Sequence, residues 1–186
     1  MRENIRFGGL RGARGYFSAT VPRSGPGVVI FDDSGGEEEA VALADRLTSE
    51  ERLTVLVPEV AGGSLPDRGQ MPSLLREAVD HLRDNWHPRV GLMAFGSCAE
   101  VAAGYAEALR VDALVLHGRA GLEAGPSGIP LLVHLDATAA ERSADLFLER
   151  ADTDVHLYDD GTSSPADAVT GAVWERNVEF LRYHLS

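Results

Sequence analysis

The feature that most constrains this chain is a series of short, wholly apolar runs separated by segments with helical periodicity. Runs such as Val90–Phe95 and Ala113–His117 show no alternation of polar and apolar residues, which is typical of strands buried on both faces of a parallel sheet. This order predicts an α/β fold: a doubly wound, mostly parallel sheet with helices on both faces. The predicted strands are Gly15–Val21, Gly27–Asp32, Leu53–Val57, Val90–Phe95, Ala113–His117, Pro130–Leu135 and Asp154–Tyr158.

The segments between these strands have apolar residues at three- and four-residue spacing, as amphipathic helices do. Neither a linker-like change in composition nor an internal repeat interrupts the 186 residues, which fit one hydrophobic core. We therefore expect a single domain over residues 1–186, with Gly15–Val21 in an antiparallel hairpin at the sheet edge. The predicted helices are Glu37–Leu47, Pro72–Asn85, Ala99–Leu109, Ala140–Arg150 and Ala168–Leu185.

Charge and cysteine content narrow the possible partners. The formal net charge is -12, and all 17 basic residues are Arg. An acidic surface disfavours nucleic acid and anionic membranes as partners, and the lack of Lys excludes lysine-based chemistry. The single Cys excludes an internal disulfide and a multi-cysteine zinc site. Because the sequence has no signal-peptide or membrane-span pattern, we expect a cytoplasmic protein.

A strand–turn–helix centred on Gly96 is the segment with most bearing on function. A very tight turn of small residues joins the buried strand Val90–Phe95 to the helix Ala99–Leu109. A strained turn of this type, a nucleophile elbow, raises a reactive Ser or Cys above a sheet. Small residues two positions either side of the nucleophile let strand and helix approach, and Ala94 and Cys98 occupy those positions around Gly96. The best-fitting register therefore places glycine, which has no side chain, at the nucleophile position.

Four segments of the chain carry a family resemblance. They are the strand and loop Pro26–Gly36, the helix and strand within Ala44–Pro58, the elbow Val90–Ala99 and the closing helix Ala172–Leu185. In this order they resemble the dienelactone hydrolase family of α/β-hydrolases, whose elbow is usually written V-G-x-x-G-[FY]-C-x-G-G. The resemblance covers nearly the whole chain and implies the α/β-hydrolase fold. It also implies ester or lactone hydrolysis by a Cys or Ser nucleophile, a His base and an Asp, with two backbone N–H groups holding the oxyanion.

Residue by residue, the family's catalytic positions fall on side chains that cannot do this chemistry. The nucleophile position is Gly96 and the base position is Ser163. The acid position is Ala139, while Asp136 comes three residues too early. A Glu on the family's oxyanion loop helps to gate the nucleophile, and Asp33 stands in its place. The resemblance thus implies a hydrolase fold in which all three triad positions are substituted.

Neighbouring side chains offer a relocated catalytic site. Cys98 and Ser97 are the available nucleophiles; a helix N-terminus lowers the pKa of a cysteine, but a buried free cysteine usually serves as an apolar packing residue. His117 ends a strand that we expect beside the elbow strand, where ligands of open α/β sheets gather. The equal alternative for His117 is a structural role. Asp33 or Asp136 would supply the acid. The other histidines are predicted at surface or helix-interface positions: His81, His87, His134, His156 and His184.

The predicted pocket has no cofactor or metal site. The acidic run Asp32–Glu39 lacks EF-hand spacing, and Glu37–Glu39 fit the first turn of a helix, where the helix dipole favours carboxylates. The expected ligand-binding residues are Ser34, Gly96, Ser97 and Ser163, with Cys98, His117 and Asp33 as candidate catalytic residues.

Three functions stay open at this point. The first is a degenerate family member that binds a small molecule or carries out a non-hydrolytic step such as isomerisation, dehydration or cyclisation. The second is an active ester, lactone or thioester hydrolase with Cys98 or Ser97 as a relocated nucleophile. The third is a protein-binding subunit with no ligand chemistry, for instance a homodimer (or other homo-oligomer) or a partner scaffold.

Overall fold

Between residues 27 and 118 the strands of the sheet alternate with helices, as the apolar runs predict. The structure, a computed structural model, describes residues 1–8, 12–21, 25–33, 37–59, 70–85, 88–118, 128–135, 155–159 and 164–186. The strands in these residues are β1 Arg2–Phe7, β2 Ala13–Ser18, β3 Gly27–Phe31, β4 Thr54–Pro58, β5 Val90–Phe95, β6 Ala113–Gly118, β7 Leu131–Leu135 and β8 Val155–Asp159. The helices are α1 Glu37–Glu51, α2 Met71–Asn85, α3 Ser97–Leu109, α4 Pro165–Ala168 and α5 Gly171–Leu185.

The described strands form one sheet of eight, in the order β1-β2-β4-β3-β5-β6-β7-β8. The strands from β3 to β8 pair in parallel. The hairpin β1–β2 is antiparallel and joins the sheet through β4. This is the predicted α/β sheet with an antiparallel hairpin at one edge, so the carboxyl ends of β3, β5 and β6 lie side by side, where open sheets bind ligands.

Helices cover both faces of the sheet, which explains why the inner strands are apolar throughout. One face carries α2 and α3, whose buried residues include Leu75, Val79 and Ala102. The other carries α1 and α5, with Leu43 and Leu181 among the buried residues. We call these the α2–α3 face and the α1–α5 face. Successive side chains along a strand point to alternate faces of the sheet, so each strand residue packs on one face or the other.

The observed elements differ from the prediction at both ends of the chain, where a strand of mixed polarity and a pair of separately capped helices were not recognised. The strand β1 was not predicted, because four of its six residues are polar and only Ile5 and Phe7 are apolar. The predicted helix Ala168–Leu185 is two helices, since Ser164 forms a capping box at α4 and Thr170 is the N-cap of α5. Segment Ala140–Arg150 lies outside the described residues. None of the described helices has the length and apolar content needed to cross a membrane.

Candidate active site

Gly96 forms the tight turn between β5 and α3, in the register that the small flanking residues predict. Its φ is 58° and its ψ is -129°, a backbone conformation that side-chain-bearing residues rarely adopt. The Gly96 N–H donates to the His117 carbonyl at 3.0 Å, which ties the turn to the end of β6. The turn therefore has the strained geometry of a nucleophile elbow, and the residue in the strained conformation is a glycine.

The carboxylate of Asp33 fills the space above this turn. A Cβ atom added to Gly96 would lie 2.9 Å from Asp33 Oδ1, closer than real Cβ contacts. The same oxygen accepts the backbone N–H of Ser97 at 3.2 Å, and the Ser97 hydroxyl donates to Asp33 Oδ2. In elbow hydrolases the N–H that follows the nucleophile is an oxyanion-hole donor. Here that N–H is engaged by the protein's own carboxylate.

Cys98 lies in the first turn of α3 but is fully buried. Burial raises the pKa of its thiol far above the ordinary value, and the nearby negative charges of Asp33 and Asp32 raise it further. These effects oppose the helix dipole that would favour a thiolate. The thiol is therefore neutral at physiological pH and packs with the apolar residues of the α2–α3 face.

His117 belongs to a ladder of stacked rings on the opposite face of the sheet. Its ring stacks on Phe95 with a centroid distance of 4.6 Å and on His134 at 4.4 Å. His134 in turn stacks on Tyr158 at 5.7 Å, and the Arg176 guanidinium lies 3.9 Å above the tyrosine ring. We call these five side chains the ring ladder. Its four rings are register neighbours on β5 to β8, so the ladder follows directly from parallel pairing.

The two histidines at the centre of the ring ladder, His117 and His134, are fully buried. Desolvation lowers the pKa of His117 well below its usual range, the neighbouring His134 lowers it further, and the Asn177 amide acts in the opposite direction. The His134 Nε2 atom lies 3.0 Å from Asn177 Oδ1, a buried hydrogen bond. Asn177 was missed in the sequence, although a polar residue at the core spacing of α5 between Trp174 and Leu181 was the available signal.

The relocated Cys98–His117 pair is not formed in the structure. Cys98 packs on the α2–α3 face, whereas the His117 ring stacks on Phe95, which belongs to the α1–α5 face. Strand alternation is the physical reason, because it turns His117 away from the elbow. The expectation that His134 faces a helix interface is confirmed by its bond to Asn177 on α5.

The elbow cluster of described residues is thus Asp33, Gly96, Ser97 and Cys98. Several predicted site residues lie outside the described residues: Ser34, Asp136, Ala139 and Ser163. Of the remaining histidines, His81 packs against Phe7 and His184 against Phe180. His87 is not described, and the side chain of His156 is likewise outside the description.

Solved structures show which known proteins share this fold. No family model and no curated protein matches the chain. The esterase Pf2001 of Pyrococcus furiosus superposes with a TM-score of 0.77 at 15% identity, covering 100% of this chain and 94% of that one. A dienelactone hydrolase-like promiscuous phosphotriesterase from metagenomic libraries gives 0.72 at 18% identity, with 100% and 99% covered. The esterase domain of a Rhodothermus marinus protein gives 0.71 at 17% identity, with both chains fully covered. The chain therefore has the α/β-hydrolase fold of esterases and dienelactone hydrolase-like proteins.

Proposed function

We propose that this chain uses an α/β-hydrolase fold for a small-molecule role other than ester hydrolysis, either binding or a non-hydrolytic step. The observation that carries the proposal is the pairing of Gly96 with Asp33. A glycine occupies the nucleophile position, and a carboxylate engages the N–H group that would stabilise an oxyanion. A developing negative charge placed there would meet a carboxylate instead of a free donor, which opposes acyl transfer.

The ligand site of this proposal lies at the carboxyl ends of β3 and β5, around the elbow cluster. The half-buried Asp33 carboxylate, which fills the space above the Gly96 turn, supplies a hydrogen-bond acceptor. Open α/β sheets bind ligands at this edge. A ligand that donates hydrogen bonds or carries positive charge suits the carboxylates of Asp32 and Asp33 better than an anion does.

Turnover of p-nitrophenyl acetate and of a dienelactone tests the proposal. The expected rate for the native protein equals that of Ser97→Ala and Cys98→Ala variants, because neither side chain is an activated nucleophile. Turnover above buffer that either substitution abolishes would overturn the non-hydrolytic assignment.

For the binding role, we expect compounds that raise the melting temperature of the protein to shift the amide resonance of Ser97. A compound library in which no such shift occurs would contradict a ligand site at the elbow.

A relocated hydrolase remains the second candidate, and the contact between Ser97 and Asp33 favours it. The hydroxyl donates directly to a carboxylate, so Asp33 could accept the proton as a general base. The turn geometry disfavours hydrolysis by this dyad, because the Ser97 N–H donates to Asp33 and is not available to an oxyanion. If the dyad hydrolyses esters, Asp33→Asn abolishes turnover together with Ser97→Ala, while Cys98→Ala retains it.

A further inference from the structure

The α1–α5 face of the β1–β2 hairpin carries three rows of directly opposed side chains. Antiparallel register pairs Arg2 with Ser18, Asn4 with Tyr16, and Arg6 with Arg14. Side chains opposite each other in an antiparallel pair share one face and lie about 5 Å apart at Cβ. The three rows thus form one surface, and their charges can be compared directly.

Asp45 on α1 holds the first two rows. Its Oδ1 atom lies 3.1 Å from Arg2 Nε and accepts the Ser18 hydroxyl at 3.0 Å and the Tyr16 hydroxyl at 2.7 Å. Burial and the hydrogen bond to Asp45 raise the pKa of Tyr16 to about 12. These contacts show that this side of the hairpin faces α1 and that Arg2, Ser18 and Tyr16 have their polar partner there.

The third row has no such partner. Arg6 and Arg14 are both exposed, and neither forms an ion pair within the described part of the chain. Like charges directly opposite each other destabilise an antiparallel pair. The two arginine side chains therefore project from directly opposed positions on one face of the hairpin, and an anion held between them would remove the repulsion of their charges.

Both arginines line a cavity of about 390 Å³ at the carboxyl end of β4. Its wall includes Asn4, Tyr16 and the carboxylates of Glu37 and Glu59. The Glu59 N–H donates to the Arg14 carbonyl at 2.8 Å, which extends the third row onto the residue after β4. The cavity thus presents two forked cations together with two carboxylates that accept hydrogen bonds.

We propose that this cavity binds a small hydroxylated oxyanion, with a phosphate or carboxylate group bridging Arg6 and Arg14. Planar guanidinium groups bind such groups through paired, charge-assisted hydrogen bonds. Glu37 and Glu59 accept from hydroxyl groups of the same ligand, which distinguishes the site from one for a bare anion. The site is separate from the elbow, so it does not depend on the proposed function.

Calorimetric titration with glycerol 3-phosphate and with glycerate tests the site and separates the phosphate from the carboxylate. We expect one of them to bind, with Arg6→Gln and Arg14→Gln each weakening the affinity at least about tenfold. Arg110→Gln, which removes an exposed arginine at the end of α3, leaves the affinity unchanged. Absence of binding by both ligands, or equal weakening by the Arg110 variant, would overturn the proposal.

Stability provides an independent measurement on the same variants. Because like charges are opposed in the third row, Arg14→Gln raises the melting temperature in ligand-free buffer, and glycerol 3-phosphate or glycerate raises that of the native protein more than that of the variant. If the variant is destabilised in ligand-free buffer, the arginine already has a favourable partner, and the free anion site is refuted.

Discussion

At the scale of single residues, the proposal depends on the glycine that forms the elbow turn, Gly96. A Ser or Cys in this conformation would carry backbone strain of about 1–3 kcal/mol, which hydrolases tolerate because it presents the nucleophile. Glycine adopts the same φ and ψ without that strain. The space left by the missing side chain is taken by Asp33, whose two oxygens bond to Ser97. Gly96 and Asp33 thus stabilise the turn and do not present a reactive side chain at its apex.

Substitution of Gly96 by Ala tests this reading of the turn. The new Cβ would meet Asp33 Oδ1 at 2.9 Å in a positive-φ conformation, so we expect destabilisation of about 2 kcal/mol or more by urea unfolding. Gly104→Ala is the matched control, because no atom lies within 4 Å of its Cβ position. In the interior of α3 that change stabilises by about 0.5–1 kcal/mol. Equal effects of the two substitutions would contradict the strained turn.

The buried Cys98 thiol gives a second prediction at this scale. Because burial and neighbouring carboxylates raise its pKa, the thiolate that reacts with disulfide reagents is scarce in the folded state. We expect no reaction with Ellman's reagent at pH 8 in native buffer and one thiol per chain in guanidinium chloride. Rapid labelling of the native protein would show an accessible, activated cysteine and would revive Cys98 as a nucleophile.

At the scale of elements, the ring ladder links four strands to α5. Parallel register brings Phe95, His117, His134 and Tyr158 side by side, so the ring on each strand covers one face of its neighbour's ring. Asn177 on α5 supplies a hydrogen-bond partner to His134 within this layer. Buried polar groups with such partners specify one arrangement of strands and helix. His117 and His134 thus contact the other rings of the sheet and α5, and not the elbow.

Acid sensitivity follows from the ring ladder. The folded-state pKa of His117 lies below its unfolded value of about 6.5, so the unfolded chain binds the proton first as pH falls. The free energy of unfolding therefore decreases as the pH falls from about 7 to about 5. His117 contributes up to about 1.4 kcal/mol of this decrease per pH unit. His117→Phe keeps a ring in the ladder and makes the slope shallower, measured by urea unfolding at each pH. His184→Phe is the control, and a slope that His117→Phe leaves unchanged would contradict the assignment.

At the scale of the whole molecule, apolar periodicity was sufficient to predict the α/β sheet, whereas the α/β-hydrolase fold was implied by the family resemblance. Uninterrupted runs such as Val90–Phe95 identified the inner strands, and the small residues Ala94 and Cys98 placed Gly96 at the apex of the turn. The side of the sheet that His117 faces depends on register with β5 and β7, which local sequence does not encode. For the same reason, the contacts of Asp33 with Ser97 and of Asn177 with His134 could not be predicted, since each joins distant segments.

The central claim is that the protein has a hydrolase fold whose elbow carries no activated nucleophile. Intact-protein mass spectrometry after incubation with a fluorophosphonate, a reagent that forms a covalent bond with activated serines, tests it most directly. Because Asp33 engages the Ser97 N–H that would stabilise the oxyanion of the reaction, we predict an unchanged mass, identical to that of Ser97→Ala. A stoichiometric adduct that maps to Ser97 and disappears in the Ser97→Ala variant would contradict the account.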